Sequence, residues 1–270
     1  MDDAEFCVWS HRAADWGAEY RRSLRRRPVR AQTAPGAIFD EIPASAPEAP
    51  ESMEAIFADF ENVVMPGITH WQHPRFFAYF PANAAPASVI AEQLVSAIAA
   101  QCMLWQTSPA ATELETRVLD WLRRALGLPE DFKGVIQDSA SSATLAAILV
   151  MRERALKWIG NKRGLSDQQR LRIYCSDQVH TSIDRAIWIS GIGEDNLVRI
   201  PVLGEMRSLD VAALDAAIVA DKQAGSCLRA LSPASVERAW AAPTISRASA
   251  TLRIATVSMF TSMQLGLARR

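Results

Sequence analysis

Three clusters of this chain hold residues that can do chemistry. In the first, Ser139-Ala140-Ser141-Ser142 follows a short apolar run, Gly134-Val135-Ile136-Gln137, and stands at the mouth of a helical stretch. Small side chains let an anion approach closely, and hydroxyls and the free N–H groups of a helix start can hold its oxygens, so the place suits a phosphate ester. Read alone, the run is more simply an ordinary N-cap, because Ser and Asp are common capping residues. In the second cluster, Ser176-Asp177-Gln178-Val179-His180-Thr181-Ser182 again lies between a short apolar strand and a helix. There His180 can stack on a cofactor ring and exchange protons near neutral pH; the alternative is a half-buried imidazole satisfied by backbone. In the third, residues 70–81 pack His70, Trp71, His73, Arg75, Phe76, Phe77, Tyr79, Phe80 and Pro81 together without helical or alternating period. Such a segment lines a pocket or an interface, or fills a core.

The elements that must position these clusters follow from periodicity. Residues 134–137, 171–175 and 197–202 are the expected strands, with helices near 140–158, 181–189 and 209–220. That alternation implies an α/β domain with a mainly parallel sheet, in which ligands collect at the carboxyl ends of strands. Ser108-Pro109 should cap and open a further helix, whose stripe of Leu114, Val118, Trp121, Leu122 and Ala125 ends at Gly127. Near the N-terminus, Phe6, Trp9, Ala13, Trp16 and Tyr20 recur at helical spacing. A second helix over 53–64 carries Ile56, Phe57, Phe60 and Val64, with Ser52 as N-cap. Between them Pro35, Pro43 and Pro47 punctuate an arm expected to run extended over a surface. Two helices and an arm hold too little core to stand alone, so an intertwined dimer is expected.

With 270 residues, 49% of them hydrophobic, and a formal net charge of −1, the chain can bury a large core. The charge balance argues against a nucleic-acid partner, and the arginines between Arg21 and Arg30 read as a solvated helix end. Cys7, Cys102, Cys175 and Cys227 are scattered without metal or disulfide spacing, which suits a cytoplasmic protein. The Ala-rich stretch 89–100 is too short to span a bilayer, so no membrane partner is expected.

Five ordered motifs resemble the group II pyridoxal-phosphate-dependent decarboxylases, in the aromatic L-amino-acid decarboxylase branch. They are Met65-Pro66-Gly67-Ile68-Thr69-His70-Trp71, Phe76-Phe77-Ala78-Tyr79-Phe80-Pro81, Thr107-Ser108-Pro109-Ala110-Ala111-Thr112-Glu113-Leu114-Glu115, the Ser139 run and the His180 run. The resemblance covers residues 5–225. It implies a fold type I, aspartate aminotransferase-like α/β large domain, incomplete here, with an N-terminal helical arm. It implies further that Ala140 and Ser141 hold the phosphate of pyridoxal 5'-phosphate, that Ser139 supports that cradle, and that His180 stacks on the pyridine ring. His180 is also tied in the family to correct protonation after carbon dioxide leaves, favouring amine over aldehyde formation. Trp71, Tyr79, Phe80 and Pro81 would line an aromatic substrate pocket, with Met103 and Leu104 contributed across a homodimer interface. Ala82 departs from the threonine usual in the animal enzymes. The implied division is a dimerisation segment over 1–85, a partial cofactor domain over 86–225, and a non-family tail over 226–270.

That tail lacks the family's next strand, its cofactor aspartate segment and its His-Lys pair, and Lys222 is the last lysine of the chain. The genetic code suggests why. Joining the last base of each codon to the first two of the next, Met259-Phe260 forces Val, Met263-Gln264 forces Ala and Trp240-Ala241 forces Gly. The same frame permits Val-His-Val-Asp-Ala-Ala-Trp-Ala-Gly-Ser near the C-terminus, so a frameshift near Gly225 is inferred. The chain would then lack the Schiff-base lysine and be inactive, a non-catalytic fragment; a glutamate- or histidine-type decarboxylase is the other alternative. The nucleotide sequence of codons 226–270, read one frame over, is expected to spell the aspartate segment. A sequence that does not would sink the frameshift.

Overall fold

The computed structural model describes residues 1–79, 84–205 and 207–224, and the backbone of 227–231. They fall into two compact units, Met1–Ala99 and Ala100 onward. In the first, α1 (Asp3–Ser23) opens on a capping box: Glu5 N–H donates to the Asp2 side chain at 2.8 Å and Asp2 N–H to that of Glu5 at 3.2 Å. After the short α2 (Ala37–Glu41), α3 (Met53–Asp59) starts at Ser52, whose hydroxyl accepts from Ala55 N–H. It continues as a π turn, Phe60–Val64, and a 3-10 turn, Met65–Gly67. The aromatic stripes of these helices cover one another: Trp9 meets Phe57 at 5.6 Å between ring centroids, and Trp16 meets Phe60 at 4.9 Å. By contrast α4 (Pro86–Ile98) leaves Val89, Ile90, Leu94, Val95 and Ile98 more than half exposed.

In the second unit, α5 (Pro109–Ala125) begins at its proline, and the chain turns away at Gly127, where φ is +63° and a side chain would be strained. Then come α6 (Ala140–Ala155), the single turn α7 (Gly160–Arg163), β1 (Leu171–Ser176), α8 (Ser182–Ile189), β2 (Leu197–Ile200), β3 (Val202–Leu203), β4 (Ser208–Leu209), α9 (Val211–Gln223) and β5 (Cys227–Leu231). The sheet runs β2-β1-β5, both pairings parallel, as alternating helices and strands require.

Strand β1 is the centre of this unit. Its residues Leu171, Ile173 and Cys175 face α6 and α8, burying Ile148, Met151, Ile183, Ala186 and Ile187. On its other face Tyr174 packs with Ile200 and with Leu214 of α9. Polar groups near that face pair off: the Tyr174 hydroxyl donates to Asp221 at 2.7 Å and Arg172 bonds the same carboxylate at 3.1 Å. Burial and the Asp221 carboxylate push the Tyr174 phenol well up, while the Tyr174 and Arg172 bonds hold Asp221 below the usual carboxylate range.

Three expectations are corrected. Residues 134–137 form no strand: no described strand runs beside them, Val135 and Ile136 are at least half exposed, and Ile136 N–H is taken by the Glu115 carboxylate at 2.7 Å. The strand expected over 197–202 stops at Ile200, because Pro201 has no N–H to give a ladder; Val202 and Leu203 pair instead with Ser208 and Leu209 in a separate hairpin. Finally, the tail does supply a strand, since Cys227–Leu231 pairs in parallel with β1. The remainder of the tail lies outside the described residues.

Ile187 is fully buried between α8 and the sheet. Ile187→Ala is expected to cost about 2–5 kcal/mol in urea unfolding of this chain. A loss well under 1 kcal/mol would mean that α8 is not clamped to β1 as described.

Candidate functional site

The phosphate-seat candidate is built by the start of α6. The Ser139 hydroxyl accepts from Ser142 N–H at 3.2 Å and lies 3.1 Å from the Ser142 hydroxyl, so this side chain caps the helix. Helix geometry leaves the next donors, Ala140 N–H and Ser141 N–H, without intrahelical acceptors, and both residues are exposed. The positive end of a helix of 16 residues thus carries two free donors flanked by a methyl and a hydroxymethyl group.

His180 follows the carboxyl end of β1, two residues before α8. It is exposed, and its Nδ1 accepts from Ser182 N–H at 3.1 Å. With Nδ1 acting as acceptor, the proton of the neutral ring sits on Nε2, and the ring face is open. The loop carrying it is pinned where Asp177 N–H meets the Ile200 carbonyl at 2.9 Å, where Gln178 N–H meets the Ser176 hydroxyl, and where Arg207 bonds the Gln178 side chain.

In the first unit the aromatic cluster is a stack. Trp71 lies 4.9 Å from Phe76 and 5.7 Å from Tyr79, with the Trp71 and Tyr79 planes only 15° apart. Trp71 is 44% and Tyr79 81% exposed, so the stack offers open aromatic faces rather than core filler. In the same segment His70 and His73 are buried. Trp71 and Tyr79 are therefore brought together, as are Ser139, Ala140 and Ser141, while Met103 stands in the bend ahead of α5, 72% exposed. Phe80 and Pro81 lie outside the described residues, as does Ala82.

Sequence reading missed the partners. Tyr20 was only the last residue of an apolar stripe, yet its hydroxyl lies 2.9 Å from His70 Nδ1, fifty residues on. Arg207 carries no motif of its own, and Glu115 is one carboxylate on an amphipathic helix. Nothing short of three-dimensional proximity singles these out.

Residues 35–231 match the family described as the pyridoxal-dependent decarboxylase conserved domain. The chain is 39% identical over 233 residues to tryptophan decarboxylase 2 of Oryza sativa subsp. japonica, covering 83% of this chain and 46% of that protein. Among solved structures, 4-hydroxyphenylacetaldehyde synthase of Rhodiola rosea superposes with a TM-score of 0.78 at 35% identity, over 86% of this chain and 50% of that one. Catharanthus roseus tryptophan decarboxylase in complex with L-tryptophan gives 0.78 at 34% identity, over 84% and 50%. The chain spans about half the length of these relatives. Its α/β unit is part of the fold type I architecture, preceded by an N-terminal helical arm.

Burial, with the nearby Arg27 and His73, holds the His70 imidazole below its usual value. The folded chain then binds fewer protons than the unfolded chain, so this contribution to stability is present above the ordinary imidazole value of about 6.5 and is lost as pH falls through the folded value. Between about pH 7.5 and about pH 5.5 the thermal midpoint is expected to drop more in the wild type than in His70→Asn, which cannot take up that proton. Equal drops would contradict this.

Proposed function

The chain belongs to the pyridoxal-dependent decarboxylase family, and we propose that its residues seat pyridoxal 5'-phosphate and an aromatic L-amino acid for decarboxylation to the amine. The observations that carry this reading are the donor-rich start of α6 and the open imidazole after β1, borne by helices that share one buried core. The residues fit the group: Ala140 N–H and Ser141 N–H suit the phosphate, the Ser141 hydroxyl adds a donor, and Ser139 holds the turn that presents them. His180 would lay its ring face on the pyridine ring of the bound cofactor, and its Nε2 is the atom free to hold or pass a proton. Trp71 and Tyr79 would receive the aromatic side chain of the substrate. When bound, the cofactor supplies an electron sink for the pair left as carbon dioxide departs.

Exposed aromatic faces on Trp71 and Tyr79 favour an aromatic substrate over an acidic one. The half-exposed apolar side chains of α4 support a homodimer, and the free thiols Cys7, Cys102 and Cys175 support the cytoplasm. No helix among the described residues is long and apolar enough to cross a membrane. Lys222, the last lysine of the chain, sits near the end of α9 and outside any His-Lys pair. These residues by themselves therefore give binding without turnover.

Titration of the chain with pyridoxal 5'-phosphate tests both parts. Reversible uptake is expected, weakened about tenfold or more in Ser141→Asp, which sets a carboxylate against the phosphate. No carbon dioxide should come from L-tryptophan. Unchanged uptake in both Ser141→Asp and His180→Ala would remove the proposed seat. Cofactor fixed by borohydride at one lysine, with carbon dioxide released, would overturn binding without turnover.

A further inference from the structure

The aromatic stack is held from both ends by one turn of α1. At the near end, Tyr20 Oη lies 2.9 Å from Nδ1 of His70, which is only 3% exposed, and the two rings sit 5.5 Å apart. At the far end, the neighbouring residue Arg21 donates to the Ala84 carbonyl, and Ala84 N–H reaches back to the Gln72 side chain at 3.4 Å. Between these ties stands the segment that carries Trp71, Phe76 and Tyr79. Its base is fixed further: His70 N–H donates to the Val29 carbonyl at 2.9 Å, Ala31 N–H to the Thr69 hydroxyl at 3.3 Å, and His73 N–H to the His70 carbonyl at 2.9 Å.

A second imidazole completes the knot. His73 Nδ1 accepts from Arg75 N–H at 3.0 Å, which places the proton of the neutral ring on Nε2. That Nε2 is buried with no partner among the described residues. An unmet buried donor is costly, and it persists only where the surrounding bonds fix the chain. The exposed stack meanwhile has little packing of its own: Trp71 is 44% and Tyr79 81% exposed, and Tyr79 holds φ at +55° without being glycine. Order in the stack must come from below.

We propose that Tyr20, Arg21 and His70 are positioning residues that hold the Trp71–Tyr79 stack in register as a platform for an aromatic side chain. The use of the platform rests on the proposed function; the clamp itself does not. Tyr20 and Arg21 touch neither Trp71 nor Tyr79 in any ring contact described, so they act through His70 and Ala84.

The test uses the whole chain labelled with 5-fluorotryptophan, with the Trp71 fluorine resonance assigned by Trp71→Phe and the Trp9 resonance as control. Tyr20→Phe and Arg21→Met are each expected to move the Trp71 resonance toward the free amino acid while Trp9 stays in place. His70→Leu should do the same, and His70→Asn, which keeps a polar atom where Nδ1 was, should restore it. If His70→Leu does not fold, the two α1 variants carry the test. Added L-tryptophan should bind about fivefold more weakly to both α1 variants, the loss expected for one hydrogen bond. A Trp71 resonance that stays in place in both α1 variants overturns the clamp, as does one that moves together with Trp9. L-tryptophan failing to bind the wild type, with the resonance shifts present, would instead overturn the aromatic-substrate reading and leave the clamp standing.

Discussion

Burial of β1 on both faces is the constraint from which the second unit follows. Five of its six residues are buried, alternately toward the α6 and α8 layer and toward α9. A strand covered on both sides cannot slip by one residue without turning its hydrophobic set the wrong way, so its carboxyl end is fixed in place. His180 comes four residues after that end and owes its position to it. The start of α6 is fixed by the same core, through Ile148 and Met151. A helix start bearing free donors and an imidazole with one committed nitrogen are thus carried by one hydrophobic cluster. Each is ordinary, and their common support gives them meaning as a pair.

The first unit solves a different problem. Its aromatic stack is open to solvent, and dispersion among three rings cannot order a segment on its own. Order is borrowed from α1, which has its own amphipathic face against α3, and is transmitted by directional bonds through buried histidines. Burial sets the protonation of His70 against charge, which keeps a neutral imidazole where a neutral hydrogen-bond partner is needed.

Helices were legible in the sequence where period and caps agreed. Ser52 and Ser139 each stand one residue ahead of an observed helix, and the Trp9, Trp16 and Tyr20 stripe marks the first one. Strands were less legible, since a strand exists only through its neighbours. Val135 and Ile136 have the composition of a strand and no ladder, whereas Cys227–Leu231, read as a break in the family pattern, has one. Among candidate site residues, Ser139, His180 and Trp71 could be read because short motifs surround them. The ties from Tyr20 to His70 and from Arg207 to Gln178 span 50 and 29 residues, and no local pattern announces them.

The central claim is that the start of α6 and the open face of His180 together seat a phosphorylated pyridine. The most direct measurement follows backbone amide and His180 ring signals by nuclear magnetic resonance as pyridoxal 5'-phosphate is added to the chain. Shifts concentrated at Ala140 N–H, Ser141 N–H and the His180 ring, saturating together, are the expected result. Shifts spread over the arginines that follow Tyr20, with the α6 amides and His180 unmoved, would show an anion held by loose surface charge and would contradict the site.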